Sequence, residues 1–320
     1  MAAGLALGSV LTSCQSPGSA VLVAGASAPQ AGEALAHFES IQDLAVDSQD
    51  NIYVSDGQPG TDSPVILRRI APDGSVSTFA GGADVNSAIP NEGPLENANL
   101  VGLRGLAIRD DVLYLTGLNC IRTIDLKASG FSLKTHWGSC LTSEEFQTSL
   151  TGTGLKNLSK PALFNEHLLV TADRTIYADV AGDESARHIF KLGNSQAEPE
   201  QLNYPYEMFG MGIDSQGALF MSHPWPDANG PGYIEKWSPP QKPLRLFPGA
   251  GQIITDSRDN VYFLDGTTIT RYAPDNRSKT VGKLTQSNLS RSVARLALNP
   301  AETALYISAG TAVYRFPLTQ

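Results

Sequence analysis

The sequence predicts an all-β fold: six four-stranded antiparallel sheets arranged as a closed ring, with the N-terminal strand completing the last sheet. Three observations carry this expectation. Short β-patterned runs separated by tight turns recur in units of about fifty residues along the chain. Thirty glycines and twenty prolines supply turns rather than long helices. A strand-like run near residue 20 has nothing before it to pair with, while the final unit stops one strand short.

The first two units define the pattern. Phe38 to Asp47 (FESIQDLAVD) and Leu100 to Arg109 (LVGLRGLAIR) both place a large apolar residue ahead of a Leu-Ala-β-branched core that ends in a polar residue. Ala36 and Ala98 precede them at the same distance. Each is followed by a polar turn (SQDN; Asp110-Asp111) and an apolar strand, Ile52 to Ser55 or Val112 to Thr116. In unit one, Ile66 to Ile70, the turn Ala71-Pro72-Asp73-Gly74 and Ser75 to Ala80 finish the set. Alternation along Ser75-Val76-Ser77-Thr78-Phe79 favours strand over helix. Pro-Asp-Gly supplies the turn chemistry.

The pattern then decays. Unit three is expected at Lys160 to Phe164, His167 to Ala172, Thr175 to Val180 and Arg187 to Leu192. Unit four is expected at Gly210 to Asp214, Ala218 to Ser222, Gly232 to Trp237 and Leu244 to Phe247. Gln252 to Asp256, Val261 to Leu264, Thr268 to Tyr272 and Lys279 to Lys283 make the fifth. Ala294 to Leu298, Ala304 to Ser308 and Ala312 to Phe316 give three strands of the sixth. Ala20 to Gly25 matches the outer-strand signature of Ser77 to Gly82, so it is expected to supply the missing strand. The result is a six-bladed β-propeller, an architecture that leaves few exposed sheet edges.

The unit LAVDSQDNIYVSDG … ILRRIAPDGSVSTFAGG resembles an NHL repeat, as does the approach segment Gly93 to Leu100. The resemblance is strong in units one and two, fair in four and five, and weak in three and six. It implies a propeller and no single activity, since this fold carries binding modules and enzymes alike.

The first residues, MAAGLALGSVLTSC, end an apolar run in Leu11-Thr12-Ser13-Cys14, which resembles the lipobox of bacterial lipoproteins. No Lys or Arg precedes the run, a departure from that pattern, and an apolar strand with a chance cysteine is the other reading. The resemblance implies a signal peptide over 1–13, lipidation of Cys14, a tether over 14–19 and the propeller over 20–320. Gln15 stands where an inner-membrane retention signal would place Asp, which implies the periplasmic side of the outer membrane or the cell surface. Cys120 and Cys140 then remain as an even pair in a disulfide-permitting compartment, against the alternative of two buried thiols. The blade pattern sets Cys120 at the start of a third strand and Cys140 just past the neighbouring fourth, on one face.

Composition removes other classes. The formal net charge of −9 argues against a nucleic-acid partner, and no run of 18 apolar residues could form a membrane helix. The chain is expected to be a monomer.

Long segments fall between units or between second and third strands: 25–40, 57–64, 83–99, 141–156, 193–207, 223–231 and 284–290. Both classes of loop emerge on one face, the place for binding loops. Tyr204, Tyr206, His223 and Trp225 lie in two proline-stiffened segments there, suited to stacking on a sugar or gripping a peptide. Packing within their own loops is the alternative. Asp56, Glu92, Glu96, Glu200 and several other carboxylates are assigned to the same face or its rim, where they favour basic partners or serve solubility alone.

The start of the innermost strands is expected to read Asp43, Gly105, Lys160, Gly210, Gln252 and Arg295, which does not make a calcium cage. Some six-bladed propellers, gluconolactonases among them, are metal enzymes. Glu92-Gly93-Pro94 resembles the segment through which those enzymes give a carboxylate to their metal. Its register instead places it where NHL repeats carry Gly-Pro. His37, His136, His167 and His188 read as packed or solvated residues, and no metal or cofactor is expected. The expectation is therefore a lipid-anchored envelope propeller that binds a protein or glycan. The alternative is a propeller enzyme of the lyase or lactonase type.

Overall fold

The computed structural model describes residues 20–25, 38–57, 65–81, 92–100, 102–117, 120–138, 140, 167–181, 187–193, 200–204, 208–223, 232–249, 251–284 and 294–318. They form a six-bladed β-propeller. β1 (Val21–Ala24) comes first in the chain and belongs to the last blade. Blade one is β2 (Ile41–Val46), β3 (Ile52–Asp56), β4 (Ile66–Ile70) and β5 (Val76–Gly81). Blade two is β7 (Leu106–Arg109), β8 (Val112–Gly117), β9 (Cys120–Asp125) and β10 (Ser132–Gly138), with β6 (Gly93–Pro94) added outside β10.

Blade three is β11 (Leu168–Val170), β12 (Ile176–Ala181), β13 (Arg187–Leu192) and β14 (Glu200–Tyr204). Blade four is β15 (Gly210–Ile213), β16 (Leu219–His223), β17 (Tyr233–Trp237) and β18 (Leu244–Pro248). Blade five is β19 (Ile253–Thr255), β20 (Val261–Asp265), β21 (Thr268–Tyr272) and β22 (Ser278–Lys283). β23 (Arg295–Leu298), β24 (Ala304–Ala309) and β25 (Ala312–Pro317) form blade six, and β1 completes it.

The innermost strands form a closed ring: β2 touches β7 and β23, β11 touches β7 and β15, and β19 touches β15 and β23. Closure is antiparallel, with Val21 opposite Arg315, Leu22 opposite Tyr314 and Ala24 opposite Val313. Among the described residues the core is divided among the junctions, with six apolar clusters, one between each pair of neighbouring blades. The period-2 alternation of each strand makes this possible, because successive side chains face the blade before and the blade after.

Blade three departs from the sequence expectation. The run at 167–172, expected as a second strand, supplies the innermost strand β11, and the second and third strands follow at β12 and β13. Residues 160–164, expected as the innermost strand, lie outside the described residues. The outer strand is Glu200–Tyr204, sequence EQLNY, inside what reads as one long loop. Outer strands bury little, so their apolar signal is weak. The correction carries Glu200, at the start of β14, to the face of the short turns rather than the long-loop face. Asp56, at the end of β3, stays on the long-loop side, where it accepts from the Glu39 and Ser40 N–H groups and from Arg68 Nε at 2.7 Å.

Glu92-Gly93-Pro94 is not a plain loop either. Gly93 and Pro94 pair with Leu133 and Ser132, and Glu92 Oε1 accepts from the Thr135 N–H at 2.9 Å, so the segment covers the outer edge of blade two. The expected disulfide is present: Cys120 opens β9, Cys140 lies two residues past β10, and their Cα atoms are 4.8 Å apart. Cross-linking residues 20 apart restricts the unfolded chain. Cys140→Ser is expected to cost about 3 kcal/mol in guanidinium denaturation.

Candidate functional site

The turn between the first and second strands is built the same way in four blades. Asp47 Oδ1 accepts the Gln49 and Asn51 N–H groups, Asp214 Oδ1 those of Gln216 and Ala218, and Asp256 Oδ1 those of Arg258 and Asn260. In blade six, whose turn is one residue longer, Asn299 Oδ1 accepts the N–H groups of Thr303 and Ala304. The fourth position of each turn takes a positive φ, as at Asp50, Asp259 and Glu302; Asp111 takes one in the shorter turn of blade two.

That position receives a clasp from the preceding blade. Ser48 donates its N–H and hydroxyl to the Asp111 carboxylate at 2.9 and 2.8 Å. Ser215 does so to Asp259, and Ser257 to Glu302. Asn299 Nδ2 donates to Asp50 at 3.0 Å, and Arg174 reaches back to Asp110 at 3.4 Å. Between blades three and four the equivalent residues are Ala172 and Gly217, whose side chains have no polar atom, and the clasp is missing. The carboxylates around this end of the axis are therefore committed to holding turns and joining blades.

These turns surround the mouth of an axial cavity of about 1210 Å³. Each innermost strand is the last in its sheet, so its free edge lines the axis. At the far end, toward the long-loop face, the strand-start residues are Asp43, Gly105, His167, Gly210, Gln252 and Arg295. His167 replaces the Lys160 expected from sequence.

They close the cavity with hydrogen bonds between blades. Asp43 accepts the N–H groups of Leu44 and, across the junction, Leu106 at 2.9 and 2.7 Å. Arg295 Nε donates to the Gln42 carbonyl at 2.8 Å. His167 Nδ1 pairs with Asp179 Oδ2 at 3.1 Å, and its Nε2 meets the Phe209 carbonyl at 2.9 Å, which Gln252 also approaches. Burial pushes the Asp43 carboxyl up to about 6, although Arg295, the two N–H groups and His167 all favour its charged form. Among the described residues no three His, Cys, Asp or Glu side chains gather as a metal site.

One strand further out, five blades carry a buried polar residue that bonds the backbone at or beside an inner-strand start; blade five has Leu264 there. Thr116 Oγ1 accepts the Gly105 N–H, Ser308 Oγ accepts the Arg295 N–H, and Asp179 accepts the His167 N–H. Ser55 and Ser222 donate to the carbonyls of Asp43 and Gly251. These positions follow an aromatic residue by two: Tyr53-Val54-Ser55, Tyr114-Leu115-Thr116, Tyr177-Ala178-Asp179, Phe220-Met221-Ser222 and Tyr306-Ile307-Ser308. That repeat was the available signal for the register of blade three, and hence for His167 and Asp179.

Of the four expected ligand-binding residues, Tyr204 and His223 are brought together. Neither is in a loop: Tyr204 ends β14 and His223 ends β16, and they are 1% and 3% exposed. Tyr204 Oη bonds His223 Nε2 and donates to Glu235 Oε2 at 2.9 Å, while His223 stacks on Tyr233 with ring centroids 4.5 Å apart. Sequence reading did not single out Glu235. Tyr206, Trp225 and Cys14 lie outside the described residues.

Solved structures share the fold. A gluconolactonase from Xanthomonas campestris superposes with a TM-score of 0.59 at 13% identity, covering 96% of this chain and 99% of its own. A putative gluconolactonase gives 0.59 at 11%, covering 94% and 92%. PorZ, a bacterial surface component of the type-IX secretion system of Porphyromonas gingivalis, gives 0.50 at 12%, covering 87% of this chain and 46% of its own. At these identities the likeness is one of fold. No protein-family model and no curated protein matches the sequence.

Two outcomes follow from this geometry. Ala172→Ser with Gly217→Asp supplies the missing clasp; Gly217 already has φ +82° and open space around a Cβ. A double-mutant cycle is expected to give a favourable coupling of about 1 kcal/mol. Asp43 is protonated more readily folded than unfolded, so its stabilising contribution is complete below the unfolded value of 3.8 and lost as pH rises through about 6. Urea titrations between pH 4 and 7 should show wild type losing about 2 kcal/mol relative to Asp43→Asn.

Proposed function

We propose that the protein is a lipid-anchored cell-envelope propeller, built from NHL-like repeats, that binds a protein or glycan through the long-loop face at blades three and four. One observation carries this reading. The Tyr204–His223–Glu235 hydrogen bonds fix the ends of β14 and β16 side by side. Tyr206 and Trp225 follow these two pinned strand ends by two residues each in sequence. Rigid roots lower the entropy cost of presenting aromatic side chains to a ligand. The disulfide supports an oxidising compartment, in keeping with export and with lipid attachment at Cys14.

Titration of the full-length protein with peptidoglycan fragments and an envelope glycan panel tests the binding site. Trp225→Ala and Tyr206→Ala should each weaken the wild-type interaction about tenfold or more. Equal affinity in all three proteins would remove these residues from the site. Radiolabelled palmitate should enter the wild type and not Cys14→Ser, which should shift from the membrane to the soluble fraction.

The buried Asp43 carboxyl, on the same axial ring of strand starts as His167, which pairs with Asp179, favours a second reading: an enzyme of the lactonase or lyase type. On this reading Asp43 transfers the proton. Hydrolysis of a sugar lactone, with and without chelator, should fall at least a hundredfold in Asp43→Asn. Wild-type inactivity, or an equally active variant, would discard it.

A further inference from the structure

Arg122 is the third residue of β9 and is fully buried, at 0% exposure. Its strand partner Leu115, and Ile124 two residues on, belong to the apolar cluster between blades one and two, so its side chain enters that junction. There Nη1 donates to the Asn99 carbonyl, in the segment that carries the chain from blade one to blade two. The other two nitrogens, Nε and Nη2, have no hydrogen-bond partner among the described residues.

Those two N–H groups share one edge of the guanidinium and point the same way. That edge is the fork with which arginine takes a carboxylate or other small anion in two parallel hydrogen bonds. Even partly buried cations elsewhere meet carboxylates: Arg68 Nε lies 2.7 Å from Asp56, and Lys236 Nζ lies 2.6 Å from Asp214. Burial alone bears on Arg122 among the described residues and lowers it to about 10, so the group is charged at neutral pH with no carboxylate to offset it. A buried, uncompensated guanidinium in an apolar junction is costly, and a water molecule would satisfy its donors but not its charge.

The geometry points to a structural site for a small anion, of chloride or formate size, held by Nε and Nη2 of Arg122 between blades one and two. The anion joins the blade junction as the chain folds, two residues along β9 from the Cys120–Cys140 bridge. It neutralises the guanidinium and leaves Nη1 on Asn99. Nothing in this depends on which ligand the long-loop face binds.

Thermal unfolding of the full-length protein in sodium chloride, bromide or formate, against sodium glutamate at equal ionic strength, tests the site. Wild type should melt about 5 °C higher in the small-anion salts. Arg122→Met should melt at one temperature in all four, and Arg122→Lys, which keeps the charge and loses the fork, should respond less than wild type. Crystals of wild type grown in bromide should show an anomalous peak about 3.3 Å from Nε and Nη2. Identical wild-type melting in every salt, or only water at the fork in bromide crystals, would overturn the proposal. Should Arg122→Met fail to fold, the wild-type salt series and the bromide crystal decide it alone.

Discussion

Ring closure is the constraint on which the structure depends. A propeller with an open seam would leave β25 unpaired and one wedge of the core half built. β1 removes both faults: it hydrogen-bonds along β25 and sends Ala24 into the cluster between blades six and one. Gly25 ends it, in a left-handed conformation where a Cβ would stand 2.1 Å from the Thr311 carbonyl oxygen, so the chain can leave the seam only as glycine. The face at which each strand ends follows from this closed, up-and-down order.

The two faces then differ in kind. On one, repeated Asp and Ser side chains close short turns and stitch blade to blade, and the acidity there serves architecture. The described carboxylates at that end are occupied by turns and blade junctions. At the other end of the axis, polar residues of neighbouring blades bond one another, and β14 and β16 end there at Tyr204 and His223, which are hydrogen-bonded together. On the proposed reading, binding is separated in space from the bonds that hold the ring, which lets loops vary over a fixed scaffold.

Most of the ring was legible because blade interfaces demand alternation and turns demand Asp, Asn and Gly. Strands of blades one, four, five and six stand within about three residues of their expected limits. Blade three was misread because its outer strand, EQLNY, hides among polar residues while His-Leu-Leu-Val reads like any second strand. That single slip moved His167 off the axis. It concealed the Asp179 pairing and placed Glu200 on the wrong face. Tyr177-Ala178-Asp179, set against Tyr53-Val54-Ser55, contained the correction. Arg122 gave no signal in the sequence: a lone arginine in a strand reads as surface, and only packing showed it enclosed.

The most direct measurement is a cross-link at the seam. In a Cys14→Ser background, Leu22→Cys and Tyr314→Cys place thiols on directly opposed residues of β1 and β25, a separation a disulfide can span. Under mild oxidation the pair should join nearly quantitatively within one chain and raise Tm, while either cysteine alone stays free. Two reactive, unjoined thiols in a folded protein with an intact Cys120–Cys140 bridge would contradict the closed ring.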